Sequence, residues 1–232
     1  MPDALQEANL SSETFRKWDL LARFIMLAYA GLIAGGCWLL FSGINTLISR
    51  ARGPADFILS PFPIFFWTPA LFAGILLSSI PLRWTIEVFL GKDGYRKLVN
   101  YSDNKQGFNS ERIFRYIVVV MVPIIAMSVL LAWRTYAVIT PQGITIQRYF
   151  SLSANNYAWR SIHRVLLVKS FSAPNGTIKH QRYYVIETSD GKGLNFHQSL
   201  LEVPLAKQRE IAGYIANHAG LEIDVIDPFP NC

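Results

Sequence analysis

Charge is what this sequence has least of. Aspartate, glutamate, lysine and arginine make up 16% of its residues, against roughly a quarter in an ordinary soluble domain, while 51% are hydrophobic. Cysteine is nearly absent. Cys37 lies inside an apolar run and Cys232 is the last residue given, so there is no disulfide framework to read. The chain also lacks a phosphate-binding glycine loop. Gly191-Lys192-Gly193 has neither the spacing nor the following Ser or Thr. No serine sits in a strand-to-helix elbow, and Ser189, Asp190 and His197 read as hairpin residues rather than a nucleophilic triad. His163, His180, His197 and His218 show no tight ligand spacing. Strands can bring the first three together, but isolated histidines are more often surface or core residues than metal ligands. No catalytic, metal or cofactor-binding residue is assigned.

The formal charge of +6 invites a nucleic-acid reading. The basic residues instead cluster beside apolar segments, where membrane topology accounts for them, and nucleic acid is not expected as a partner. Three apolar runs stand out, at about 21–48, 63–82 and 116–133. Each approaches or exceeds the roughly 20 residues that cross a bilayer as a helix. Trp18, Trp67, Trp84 and Trp133 fall near their ends, as an aromatic belt does. Pro69 and Pro123 lie within runs, which membrane helices tolerate when neighbours satisfy the freed backbone groups. Past Arg23 the run interiors hold no Asp, Glu, Lys, Arg or His, whereas ion carriers and proton relays usually need one.

Residues 1–20 form a polar tail without signal-peptide character, and Ser11 or Ser12 before Glu13 marks a helix start. Residues 83–115 form a basic connector. Arg83 to Leu90 continues the helix along the interface, and Gly91 and Gly94 break it. Lys92, Arg96, Lys97 and Lys105 are the candidate contacts for anionic lipid headgroups, although retention on the cytoplasmic side explains them without any binding role. Gly31-Leu32-Ile33-Ala34-Gly35 is a small-xxx-small stretch that lets helices approach closely, within the chain or across a self-association interface.

From residue 134 the pattern changes to β-structure. Thr135–Ile139 and Ile144–Phe150 flank the turn Thr140-Pro141-Gln142-Gly143. Further strands are expected at Tyr157–Trp159, Ile162–Phe171, Thr177–Thr188 and Gly193–His197, with a loop at Ser172-Ala173-Pro174-Asn175-Gly176 and a turn at Asp190-Gly191. Ile211, Tyr214, Ile215 and His218 then lie on one helical face, with Pro204 near its start and Gly220 at its C-terminal cap. Six or seven antiparallel strands and one amphipathic helix make a small domain over 134–222, followed by a tail at 223–232.

Tyr136-Ala137-Val138-Ile139-Thr140-Pro141-Gln142-Gly143-Ile144-Thr145-Ile146, followed by Tyr157-Ala158-Trp159-Arg160-Ser161-Ile162-His163-Arg164-Val165, resembles the pleckstrin-homology-like (PH-like) domains that flank membrane spans in bacteria. The resemblance implies an antiparallel sheet or barrel closed by one helix, and a binding or assembly module rather than a catalyst. It does not reach the apolar runs, and this chain carries three of them where simple members often have two.

The expectation is therefore a non-enzymatic, multi-pass protein of a bacterial inner membrane. Its C-terminal domain binds a protein, peptide or lipid near the bilayer, in assembly or scaffolding of a membrane complex with a membrane-protein partner or a second copy of itself. A subunit of a transporter or channel, and a membrane-bound enzyme, are the alternatives. About ten Lys and Arg flank the runs in the N-tail and connector, against about four in the first loop and early domain, which puts the former in the cytoplasm and the domain outside.

Overall fold

A computed structural model describes residues 2–229 except 174, 175, 192, 198, 200 and 202, with side chains from residue 13 onward. Expectations for the side chains of Ser11, Ser12, Pro174, Asn175, Lys192 and Cys232 lie outside the described residues. The chain divides into two compact units, residues 1–43 with 64–129, and residues 44–63 with 130–232.

Three helices dominate the first unit: α1 (Pro2–Ala51), α2 (Ile64–Gln106) and α3 (Ser110–Arg134), with residues 44–51 of α1 and 130–134 of α3 belonging to the second. All three are long and apolar enough to cross a membrane, with mean hydropathies of 2.0, 1.7 and 2.5 over their most apolar stretches. They also outrun the apolar segments. At about 1.5 Å per residue, α1 is about 75 Å long, more than twice a hydrocarbon core of about 30 Å. It begins at Pro2, so Ser11 and Ser12 fall within the helix instead of starting it.

The connector 83–115 is mostly helical too. Inside α2 Gly91 leaves helical geometry (φ 71, ψ 170), and the helix resumes to Gln106 with Gly94 inside it. Glycine reaches that positive φ without a Cβ penalty, so the helix is broken at Gly91 as expected but not at Gly94. Arg83 supports this stretch by donating to Glu87 one turn on at 2.7 Å. The N–H of Gly107 closes α2 on the Asp103 carbonyl at 2.8 Å, and Asn109 opens α3, its Oδ1 accepting the Arg112 N–H at 2.8 Å.

Helices α1 and α2 meet through small residues, and within the chain Gly31 and Gly35 are not among them. A Cβ built on Gly31 or Gly35 meets nothing within 4 Å. Ala30 and Ala34 are the buried pair, and Gly74 of α2 fits against them. A Cβ on Gly74 would lie 2.5 Å from the Ala30 carbonyl oxygen and 2.8 Å from the Ala34 Cβ. One residue turns a helix by about 100°, so a shift from 31/35 to 30/34 selects a different face. Trp38 stacks on Trp67 (centroids 5.2 Å), and the Tyr29 and Thr85 hydroxyls hydrogen-bond at 2.9 Å.

Two four-stranded sheets build the second unit. The first runs β1 (Phe57–Leu59), β2 (Tyr136–Thr140), β3 (Gly143–Gln147), β4 (Asn155–Ala158), all antiparallel. In spatial order the second is β10 (Ile223–Ile226), β5 (Ile162–Val168), β8 (Tyr183–Thr188), β9 (Leu194–Asn195), with β10 parallel to β5. A two-stranded ribbon joins β6 (Phe171–Ser172) to β7 (Ile178–Lys179). Helix α4 (Leu205–Ala219) ends on Gly220 in the left-handed region, as expected. One core takes side chains from both sheets and from α4: Ala137, Ile139, Ile144, Val165, Ile186, Ile211 and Ile215 are at most 2% exposed.

Two strands are additions to the sequence reading. β1 belongs to the loop between α1 and α2, and β10 to the segment read as a tail, so the second unit extends beyond 134–222 at both ends. The long strand expected at Thr177–Thr188 is split into β7 and β8, and the one at Ile162–Phe171 into β5 and β6.

The packing gives a direct contrast. Gly74→Ala is expected to lose about 1–3 kcal/mol, because the methyl group meets backbone. Gly31→Ala, facing open space, stays within about 0.5 kcal/mol or gains slightly from helix propensity. Thermal unfolding of the full chain in detergent micelles checks this. Equal behaviour of the two variants would mean that Ala30 and Ala34 are not the contact face.

Candidate functional site

Titratable clusters come first. Among the described residues no group of three His, Cys, Asp or Glu side chains is placed to hold a metal ion. The histidines go separate ways. His163 falls at the register shift between Ile162 and Arg164 in β5, and His180 is exposed after β7. His197 packs on the rings of Phe171 and Tyr183 at 4.7 and 4.9 Å. His218 lies on Tyr214 at 4.1 Å. Asp190 accepts from Tyr157 at 3.3 Å and from Thr188 at 2.6 Å, which are other partners than the triad pattern requires. The turn preference of Asp-Gly thus accounts for Asp190.

The proposed headgroup residues divide. Lys92 and Lys97 are exposed on the part of α2 beyond the Gly91 kink, and Arg96 there reaches Asp93 at 4.0 Å. Lys105 instead turns to α1 and donates to Asp19 at 3.3 Å, beside Arg23, which binds the same carboxylate at 3.1 Å. Around this pair lies an open cleft of about 330 Å³ lined by Arg16, Lys17, Asp19, Leu20, Arg23 and Lys105. Sequence reasoning missed it, because its two sides are far apart along the chain. The one available signal was the acid Asp19 set among three bases.

The second unit carries an aromatic cluster where β1 meets α4. Phe57 packs edge-on against Tyr214 (5.3 Å), and Lys207 places its ammonium 4.5 Å from the Phe57 ring centroid. Tyr214 donates its hydroxyl to Asp56 at 2.5 Å. Trp159 adds its ring beside Tyr214 and His218 and donates Nε1–H to the Pro141 carbonyl at 2.7 Å. Beneath the helix Gln208, 9% exposed, joins it to the sheet: its Oε1 accepts the Tyr184 N–H at 3.2 Å and its Nε2 donates to Val203 at 2.8 Å.

No family model, no curated protein and no solved structure matches this chain.

Burial raises the Tyr157 phenol above its ordinary range, and the charge of Asp190 and its hydrogen bond add in the same direction. The hydrogen bond to Asp56, followed by desolvation, likewise raises Tyr214. A phenol held protonated to higher pH when folded contributes fully below the ordinary tyrosine value of about 10, and the contribution fades as pH rises through the folded value. The unfolding temperature is therefore expected to fall at alkaline pH, and Tyr157→Phe to make that fall shallower. An alkaline slope identical in wild type and variant would remove Tyr157 from the account.

Proposed function

We propose that this chain is a non-enzymatic, multi-pass membrane protein whose β-rich unit is a PH-like domain held at the bilayer surface to bind a partner protein, peptide or lipid. The observation that carries the reading is the attachment. Arg134 ends α3 and Tyr136 begins β2, so no spacer separates the apolar helix from the sheet. The loop after α1 contributes β1 to the same sheet, paired Phe57 with Ile139 and Leu59 with Ala137. With three spans that loop and the C-terminal domain fall on the same side of a membrane, which is what one shared sheet requires.

Burial supports insertion. Only 11%, 28% and 11% of the most apolar stretches of the three helices are buried within the protein. Leu32, Val88 and Val119 stand 74%, 80% and 67% exposed, surface that water disfavours and lipid does not. Two sheets sharing one core with a C-terminal helix support the PH-like assignment. The bacterial inner membrane, with the N-terminus and connector cytoplasmic and the domain outside, remains part of this proposal on the charge distribution. Lys92 and Lys97 are its headgroup contacts.

A tagged full-length chain, purified in mild detergent, is expected to bring down a specific protein or an enriched anionic lipid. A preparation with neither overturns the binding-module reading. Sidedness has its own test. Intact cells, with any outer membrane permeabilised, are treated with a membrane-impermeant maleimide, with Cys232→Ser as control. Labelling at Cys232 before lysis is expected. Labelling only after lysis puts the domain in the cytoplasm.

A further inference from the structure

Phe150 and Leu152, in the loop that joins β3 to β4, are 86% and 85% exposed and are the barest large apolar side chains among the described residues. Scattered exposed apolar residues are ordinary, but two at one loop tip need something to cover them. Local bonds shape the tip. The Ser151 N–H donates to the Arg148 carbonyl at 3.0 Å and the Ser151 hydroxyl to Ser153 at 2.6 Å. The Tyr149 ring backs Phe150 edge-on at 4.9 Å.

The end of α3 holds this loop. Arg134, its last residue, donates from Nη2 to the Leu152 carbonyl at 2.5 Å. The side-chain amide of Gln147, 7% exposed, lies beside the same guanidinium, and with its oxygen and nitrogen exchanged it accepts from Nε and Nη2 at 3.1 Å each. Tyr136, two residues past Arg134, pairs with Gln147 across the sheet. The loop is thus fastened at its root and at its tip to the last turn of an apolar helix, and shares the depth of that turn.

We infer that Phe150 and Leu152 enter the interfacial zone of the bilayer that α3 crosses, as a second contact of the domain with lipid. The inference rests on the membrane reading above. Lipid is the occupant because the tether leads to a helix end and not to an open protein groove. The chemistry fits too: an aromatic pair and an aliphatic side chain beside Arg134 match the aromatic and basic residues of a membrane interface. The other end of the β2–β3 hairpin differs. Its turn carries exposed Pro141 and Gln142, about 13 Å further along strands that rise about 3.3 Å per residue.

Spin labels test this in the full chain, reconstituted in lipid nanodiscs with Cys37→Ser and Cys232→Ser as background. Single cysteines are placed at Phe150→Cys and Leu152→Cys, with Val119→Cys as the lipid reference and Gln142→Cys as the aqueous one. Relaxation by oxygen is compared with relaxation by a water-soluble nickel chelate. The ratio of oxygen to nickel accessibility is expected to be several-fold higher at 150 and 152 than at 142, approaching the value at 119. A lipid-like value at 119 with aqueous values at 150 and 152 overturns the inference alone and turns the tip toward a protein partner. An aqueous value at 119 overturns the membrane reading, and this inference with it.

Discussion

The second unit is organised around three backbone pairings, Phe57 with Ile139, Ile58 with Val138 and Leu59 with Ala137. They bring a loop between two apolar helices into a sheet that otherwise comes from far along the chain. Other contacts lock it. Arg52 donates to the Trp133 carbonyl at 2.8 Å and sets its guanidinium 3.8 Å from the Tyr136 ring centroid, a contact worth roughly 0.5–2 kcal/mol. Asp56 accepts from Tyr214, and Pro61 bridges to Leu201. Leu59 is 5% exposed in the common core, so the loop is part of the domain's interior. Cutting the chain at 134 would strip β2 of a partner and remove that leucine.

The two units solve burial in opposite ways. In the second, hydrophobic side chains converge: Ile139, Ile211, Ile215 and Val165 reach 0% exposure, and Gln208 is tolerated there because both ends of its amide are satisfied. In the first, α1 and α2 approach closely at the small residues Ala30, Ala34 and Gly74, Phe66, Ile86 and Leu98 are buried, and many other large apolar side chains face outward. Close approach through small side chains is how helices associate when lipid offers no hydrophobic drive between them. The scarcity of charge over the whole sequence is an average over these two regimes.

Much of this was legible in the sequence, and the failures have causes. The three apolar helices could be read because the signal is long and needs no partner. The β2–β3 hairpin and the α4 cap could be read because Pro141, Gly143 and Gly220 act locally. β1 was not, since Phe57–Leu59 is three residues set among Pro54, Pro61 and Pro63, and only its partner makes it a strand. β10 is parallel to β5, and no local turn announces such a pairing. The helix contact within the chain falls one residue away from the glycine pair, which leaves Gly31 and Gly35 open to a partner outside the chain. Gly31 and Gly35 satisfy a spacing rule, but spacing does not say which face meets a neighbour, and Ala30 with Ala34 satisfies it equally. The basic cleft was invisible because Asp19 and Lys105 meet only once α1 and α2 are folded.

Two-point attachment changes what such a domain can do. A domain on one flexible linker samples many orientations, and a ligand bound to it is only loosely confined. Here the sheet receives α3 directly at Tyr136 and the α1–α2 loop through β1. Rotating the sheet away from either attachment breaks backbone hydrogen bonds of β1 with β2, the Arg52 contact or the Arg134 tether to Leu152. Within the second unit the last residues of α3 are thereby fastened to the sheet and to the β3–β4 loop. On the proposed reading, such fastening suits recognition of something itself oriented, either the plane of a bilayer or a protein embedded in it.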